Sequence, residues 1–180
     1  MTALHDLHVL LVDDNPQMRY LLRCILRAGR LTSVTEAETA AEALQVMNAT
    51  QIDLVLLDWK MEPIDGLALT RQLRLSPESP NPYVPILMLT AHTEVSRVAA
   101  ARDAGVSGFV RKPISSRLLF ERISLALTDH RVFVRTDSFF GPDRRHDLAT
   151  SYAGPFRRES DRGGAPRLET VDLDEDRWCA

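Results

Sequence analysis

Between Leu7 and Leu127, five short apolar runs alternate with five segments whose apolar residues recur at the helical period. The third run, IDLVLLD from Ile52 to Asp58, is apolar on both faces, which suits a central strand of a parallel sheet covered on each side. This order predicts the α/β class, a doubly wound five-stranded parallel sheet with right-handed crossovers.

Local signals set the expected boundaries. After Leu7–Val12, Asn15 can cap a helix and Pro16 fits its first turn; Met18, Leu21, Leu22, Ile25 and Leu26 then share one face. Arg19, Arg23 and Arg27 take the opposite face, and Gly29 reads as the stop. A weaker strand is expected over Leu31–Ala37, a helix over Thr39–Asn48 and another ending at Leu75. SPESPNPYVP carries four prolines and must be a loop before the strand Ile86–Thr90. A helix from Glu94 to Ala104 ends at Gly105, GFV forms a brief strand, and Leu119, Ile123 and Leu127 mark a last helix capped by Ser115 or Ser116.

In open α/β sheets, ligands bind beyond the carboxyl ends of the strands. Asp13 and Asp14 end the first strand, Asp58 the third and Thr90 the fourth, while Lys112 and Pro113 follow the fifth. Each alone has an ordinary reading: a turn or cap carboxylate, a strand-end hydroxyl, a solvated cation, a turn proline. Three carboxylates crowded without a counterion would raise one another's pKa, so either some point away or a cation sits among them. An all-oxygen site with room for water favours Mg²⁺ over zinc.

VLLVDDNP, DLVLLDWKM followed by Asp65 and Gly66, ILMLTA and FVRKP together resemble the CheY-like receiver domains of bacterial two-component response regulators, over about Leu7–Leu127. The resemblance implies a flavodoxin-like (βα)5 fold with strand order 2-1-3-4-5. It implies Asp58 as phosphoacceptor, and an Mg²⁺ site from Asp13, Asp14, Asp58 and the backbone carbonyl of Lys60. Thr90 becomes the switch hydroxyl, Lys112 the phosphate-pairing amine, and Phe109 the aromatic that turns inward. The implied partners are a histidine kinase or phosphotransfer protein and a downstream protein target docking on the face of the fourth helix, fifth strand and fifth helix. Phosphorylation-driven homodimerisation stays open. Two departures stand out. Pro63 comes one residue later than in many receivers, and Lys60 and His92 occupy positions that in the family flank the path of hydrolytic water. Both side chains can equally be read as facing solvent; the sharper expectation is that Lys60 pairs with the phosphoryl group or a neighbouring acid and so sets the lifetime of the phosphorylated state.

The 25 acidic and 22 basic side chains nearly cancel, so no global field argues for nucleic acid or a membrane surface. The N-terminus lacks the pattern of a secretory signal, no apolar run approaches the roughly 20 residues of a bilayer span, and only two cysteines occur; a cytoplasmic protein is expected. The receiver is expected over residues 1–128. From 129 to 180 the chain is rich in Arg, Asp, Gly and Pro, which predicts a tail largely disordered or partly docked on the receiver; Phe133, Phe139 and Phe140 can pack against the receiver or anchor a partner. Its FGPDRR stretch resembles tails of single-domain receivers. No helix-turn-helix pattern follows the receiver, and the pairs Arg144/Arg145 and Arg157/Arg158 lie among acids, so DNA binding is the weaker reading. An Mg²⁺-dependent phosphatase would need a substrate cap and further catalytic side chains, and neither GxGxxG nor GxxxxGK[ST] occurs for a nucleotide. The expected protein is a stand-alone response regulator that catalyses only changes at its own aspartate.

Overall fold

The computed structural model describes residues 6–91, 95–129, 131–136, 139–143 and 167–168. Strands β1 (Val9–Val12), β2 (Val34–Ala37), β3 (Leu54–Asp58), β4 (Ile86–Thr90) and β5 (Gly108–Arg111) form one parallel sheet in the order β2-β1-β3-β4-β5. The helices are α1 (Pro16–Ala28), α2 (Ala40–Ala49), α3 (Gly66–Leu75), α4 (Val95–Ala104) and α5 (Ser116–Leu127). All residues of β1, β3 and β4 are buried, because helices cover both faces. On one face Ala43, Met47, Leu69, Leu73 and Ala101 pack against Leu10, Val55 and Met88. On the other, Leu22 and Leu26 of α1 and Leu119 and Ile123 of α5 pack against Leu11, Leu56 and Val110. Each such Leu or Ile contributes about 1.5–3 kcal/mol by leaving water.

The caps follow short polar side chains. Asn15 accepts from the N–H groups of Gln17 and Met18, Thr39 from Glu42, Asp65 from Ala68 and Ser115 from Leu118. The second strand is shorter than its sequence suggests, starting at Val34 rather than Leu31. The Leu31 N–H is taken by the Leu26 carbonyl at 3.0 Å, so this residue finishes the helix end. Gly29 does cap α1, but the left-handed backbone is at Arg30 (φ 68). Gly29 is small for another reason: a Cβ there would lie 1.9 Å from the Phe120 ring.

Packed structure continues past residue 128. Strands β6 (Phe133–Thr136) and β7 (Phe139–Pro142) form an antiparallel hairpin, joined on the β6 side by β8 (Arg167–Leu168). Phe133 and Phe140 are buried and stack with Tyr83 of the proline-rich loop, with ring centroids 5.1–5.4 Å apart. Gly105 (φ +93) meets the hairpin backbone so closely that a Cβ would sit 2.6 Å from the Phe140 carbonyl oxygen. Beneath lies Arg74, fully buried, donating to the carbonyls of Gly105 (3.0 Å), Pro82 (2.6 Å) and Val84 (2.8 Å), with its guanidinium 5.5 Å from the Phe133 ring centroid. The remaining tail, 144–166 and 169–180, with the expected disorder there, lies outside the described residues.

Candidate functional site

The carboxyl ends of the parallel strands lie along one edge of the sheet, and here they carry polar residues. Asp13 follows β1, Asp58 ends β3, Thr90 ends β4 and Lys112 follows β5. Asp13 is 1% exposed, Asp58 7% and Thr90 4%. Lys112 closes the rim: its Nζ donates to Asp58 Oδ1 at 2.8 Å and to Asp13 Oδ2 at 3.3 Å. Its N–H bonds the Thr90 carbonyl at 2.8 Å, which fixes where the side chain starts.

Asp13 is held from both sides. Its Oδ1 accepts the Asn15 N–H at 2.9 Å, and its backbone carbonyl accepts from Arg19 at 2.6 Å. On the Asp58 side, Gly66 opens α3 against the strand end. Its N–H bonds the Trp59 carbonyl at 3.0 Å, and a Cβ at Gly66 would lie 2.3 Å from the Asp58 backbone oxygen. The Asp-Gly pair after the third strand therefore serves twice, Asp65 as cap and Gly66 as the close approach.

Burial pushes the Asp58 carboxyl above its usual range, a rise that Lys112 opposes and the neighbouring Asp13 charge reinforces. Burial would lower the Lys112 ammonium, but its hydrogen bond and charge pairing with Asp58, then Asp13, lift it above its usual value. The ammonium thus remains charged at neutral pH, while the carboxylate beside it is an uncomfortable anion.

One oxygen from each of Asp13, Asp14 and Asp58 lies within 4.8 Å of the others. Three hard oxygen donors, one exposed to solvent at Asp14, fit a Mg²⁺ ion that keeps several waters. A cleft of about 370 Å³ lies over the site, lined by Asp58, Trp59, Lys60, Asp65, Thr90, Ala91 and Lys112. Lys60 is exposed at its edge, and Pro113 follows Lys112 in a cis peptide. Pro63 is also cis, and Met61 before it is buried. Phe109 is half-buried on β5 opposite Met88, packed against the core face of α2, α3 and α4. His92 lies outside the described residues. Sequence reasoning missed Arg74, because an arginine in a helix beside a polar loop reads as solvated; only the many carbonyls of the proline-rich loop hinted at a buried donor.

A family model of the response regulator receiver domain matches residues 9–124. The chain belongs to the response regulator receiver family. It is 37% identical over 120 residues to the transcriptional regulatory protein GlrR of Escherichia coli, covering 67% of this chain but 26% of that protein. The chain therefore spans about a quarter of the length of such transcriptional regulators. With the chemotaxis protein CheY of Pseudomonas aeruginosa it shares 32% identity over 115 residues, 64% of this chain and 91% of that protein. Among solved structures, CheY4 of Vibrio cholerae aligns with a TM-score of 0.62 at 26% identity, over 67% of this chain and 98% of that one. A putative response regulator of Chloroflexus aurantiacus aligns with a TM-score of 0.61 at 31% identity, over 68% and 98%. The two-component receiver fold with strand order 2-1-3-4-5 expected from the sequence is the one observed.

Proposed function

We propose that this receiver takes a phosphoryl group on Asp58 from a phosphohistidine of a partner histidine kinase or phosphotransfer protein, in the cytoplasm, and signals through a changed protein-binding face. The observation that carries this reading is the Lys112 ammonium bridging Asp58 and Asp13 beside a second acid, Asp14. An Asp58 oxygen attacks phosphorus, the O–P bond forms, the P–N bond breaks, and the imidazole leaves with the electron pair. Asp13, Asp14, Asp58 and the Lys60 carbonyl would hold Mg²⁺, which when bound supplies charge neutralisation for the phosphoryl oxygens. Lys112 pairs with the transferred group, and the rigid strand ends keep acceptor and ammonium in place.

The phosphorylated aspartate carries about −1.5 to −2 charge at neutral pH and new acceptor oxygens. Thr90 donates to one of them. The loop after β4 follows, and Phe109 turns further inward, altering the face of α4, β5 and α5 where the protein target docks. Phe109 has no hydroxyl, so its packing alone reports the change. Residues 131–136 and 139–143 act as a docked extension of the receiver rather than a separate domain. The chain is no enzyme toward other substrates; it catalyses gain and loss of its own phosphoryl group.

Trp59 sits next to the acceptor and lines the cleft, so it supplies a probe. In a Trp178→Phe background, a small acyl phosphate should change Trp59 emission only when Mg²⁺ is present. A response that needs no Mg²⁺, or that survives Asp58→Asn, would contradict the proposal.

A further inference from the structure

A second groove, of about 850 Å³, runs along α4, β5 and α5. Its charged lining is mostly cationic: Arg102, Arg111, Arg122 and Arg131 against Asp103 and Asp129. Arg131 is already tied to Asp129 and to the Ser107 carbonyl, and Asp103 also has a partner. Arg102, Arg111 and Arg122 are exposed, and among the described residues none of the three is paired with a carboxylate. Between them Phe109, Leu118 and Leu125 give an apolar floor, with Leu125 53% exposed.

The chain carries a segment of complementary chemistry. Residues 169–180, ETVDLDEDRWCA, hold five carboxylate side chains against one guanidinium, with Val171 and Leu173 alternating with Asp172 and Asp174. β8 runs antiparallel to β6 with Leu168 opposite Val134 and Arg167 opposite Arg135. Leu168, the last described residue before the acidic segment, thus stands opposite Val134, three positions from the groove residue Arg131, and Pro142 of the same hairpin also borders the groove. Eight extended residues reach about 26–29 Å, enough to follow a groove between two helices.

We propose that Glu169–Asp176 of this same chain occupies the groove in cis, its carboxylates on the arginines and Val171 and Leu173 on the apolar floor. Tethering places the segment at an effective concentration on the order of millimolar, so weak contacts suffice for occupancy. A protein target must displace it, which makes the segment a built-in competitor for the output face. That consequence rests on the output face proposed above, but occupancy itself does not require phosphorylation.

The test uses the full chain without any phosphodonor. In a Cys24→Ser background, a nitroxide on Cys179 should strongly broaden the backbone amide signals of Arg102, Gly108, Arg111 and Arg122. Intensity should return when Asp172, Asp174, Glu175 and Asp176 are changed to their amides, and in 1 M salt, where the Debye length is about 3 Å. Broadening that is absent, that lies elsewhere, or that ignores the amide substitutions overturns the proposal. Equal broadening of an isotope-labelled copy by a spin-labelled second copy overturns the cis arrangement in favour of a dimer. Any of these failures leaves phosphorylation of Asp58 untouched, since no phosphoryl group enters the experiment.

Discussion

Asp58 is held where a carboxylate is least at ease, buried beside a second carboxylate and relieved by one ammonium. Its pKa is raised in the folded protein, chiefly by desolvation, even with Lys112 in contact. A raised acid contributes stability below its unfolded value, near 3.8, and loses it as the pH climbs through the folded value. At neutral pH without a bound cation, the ionised Asp58 is therefore a net cost. Asp58→Asn should raise Tm in chelator-containing buffer at pH 7, by about 2–4 °C if the relief is about 1 kcal/mol, with a gain that shrinks as the pH falls toward 4. Scanning calorimetry at both pH values checks this, and a lower Tm at pH 7 would show that pairing outweighs burial. Lys112 contributes in the opposite range: its raised pKa gives stability present below about 10.5 and lost as the pH rises through the folded value. Lys60 is exposed at the cleft edge, and the lifetime role proposed for it can be tested directly. Lys60→Ala should change the rate at which phosphorylated protein loses its phosphoryl group; an unchanged rate would mean that the side chain only faces solvent.

At the scale of elements, the site depends on strand ends and helix starts meeting in fixed register, and much of that was legible. Asn15 and Ser115 announce α1 and α5, and the unbroken apolar run of β3 announces its central place, whereas the cap at Asp65 emerged only in the structure. The shortened β2 was not legible, because Leu31 is buried by finishing a helix end rather than by joining a strand. Nor was the hairpin arrangement, since it docks against Gly105 and Tyr83, with Arg74 beneath, residues far away in sequence. The hairpin should be a substantial part of the fold. Phe140→Ala, which empties a fully buried ring position, should cost about 3 kcal/mol or more and lower Tm by about 6–12 °C. Phosphoryl uptake below both melting temperatures should survive, because no residue of the Asp58 cleft is touched. Arg74→Lys should also lower Tm, as a single ammonium cannot reproduce the planar fork that reaches three carbonyls.

Across the whole molecule, a parallel sheet gathers Asp13, Asp58, Thr90 and Lys112 from positions up to 99 residues apart, and a C-terminal extension packs on α3 and α4 beside it. The candidate rim could be read from sequence because open α/β sheets bind ligands beyond the carboxyl ends of their strands, where the polar residues fall. What the sequence could not convey was distance: which acid the ammonium grips, and that Asp14 alone faces solvent. Because the acids repel one another until a cation joins them, Mg²⁺ should raise Tm of the wild type. A hundredfold excess over its Kd would add about 2.7 kcal/mol. The most direct test of the central claim is the intact mass of wild type and Asp58→Asn after incubation with Mg²⁺ and a small acyl phosphate. The account predicts one added phosphoryl group on the wild type, lost on alkaline treatment, and none on Asp58→Asn. An unmodified wild type, or equal modification of both, would contradict it.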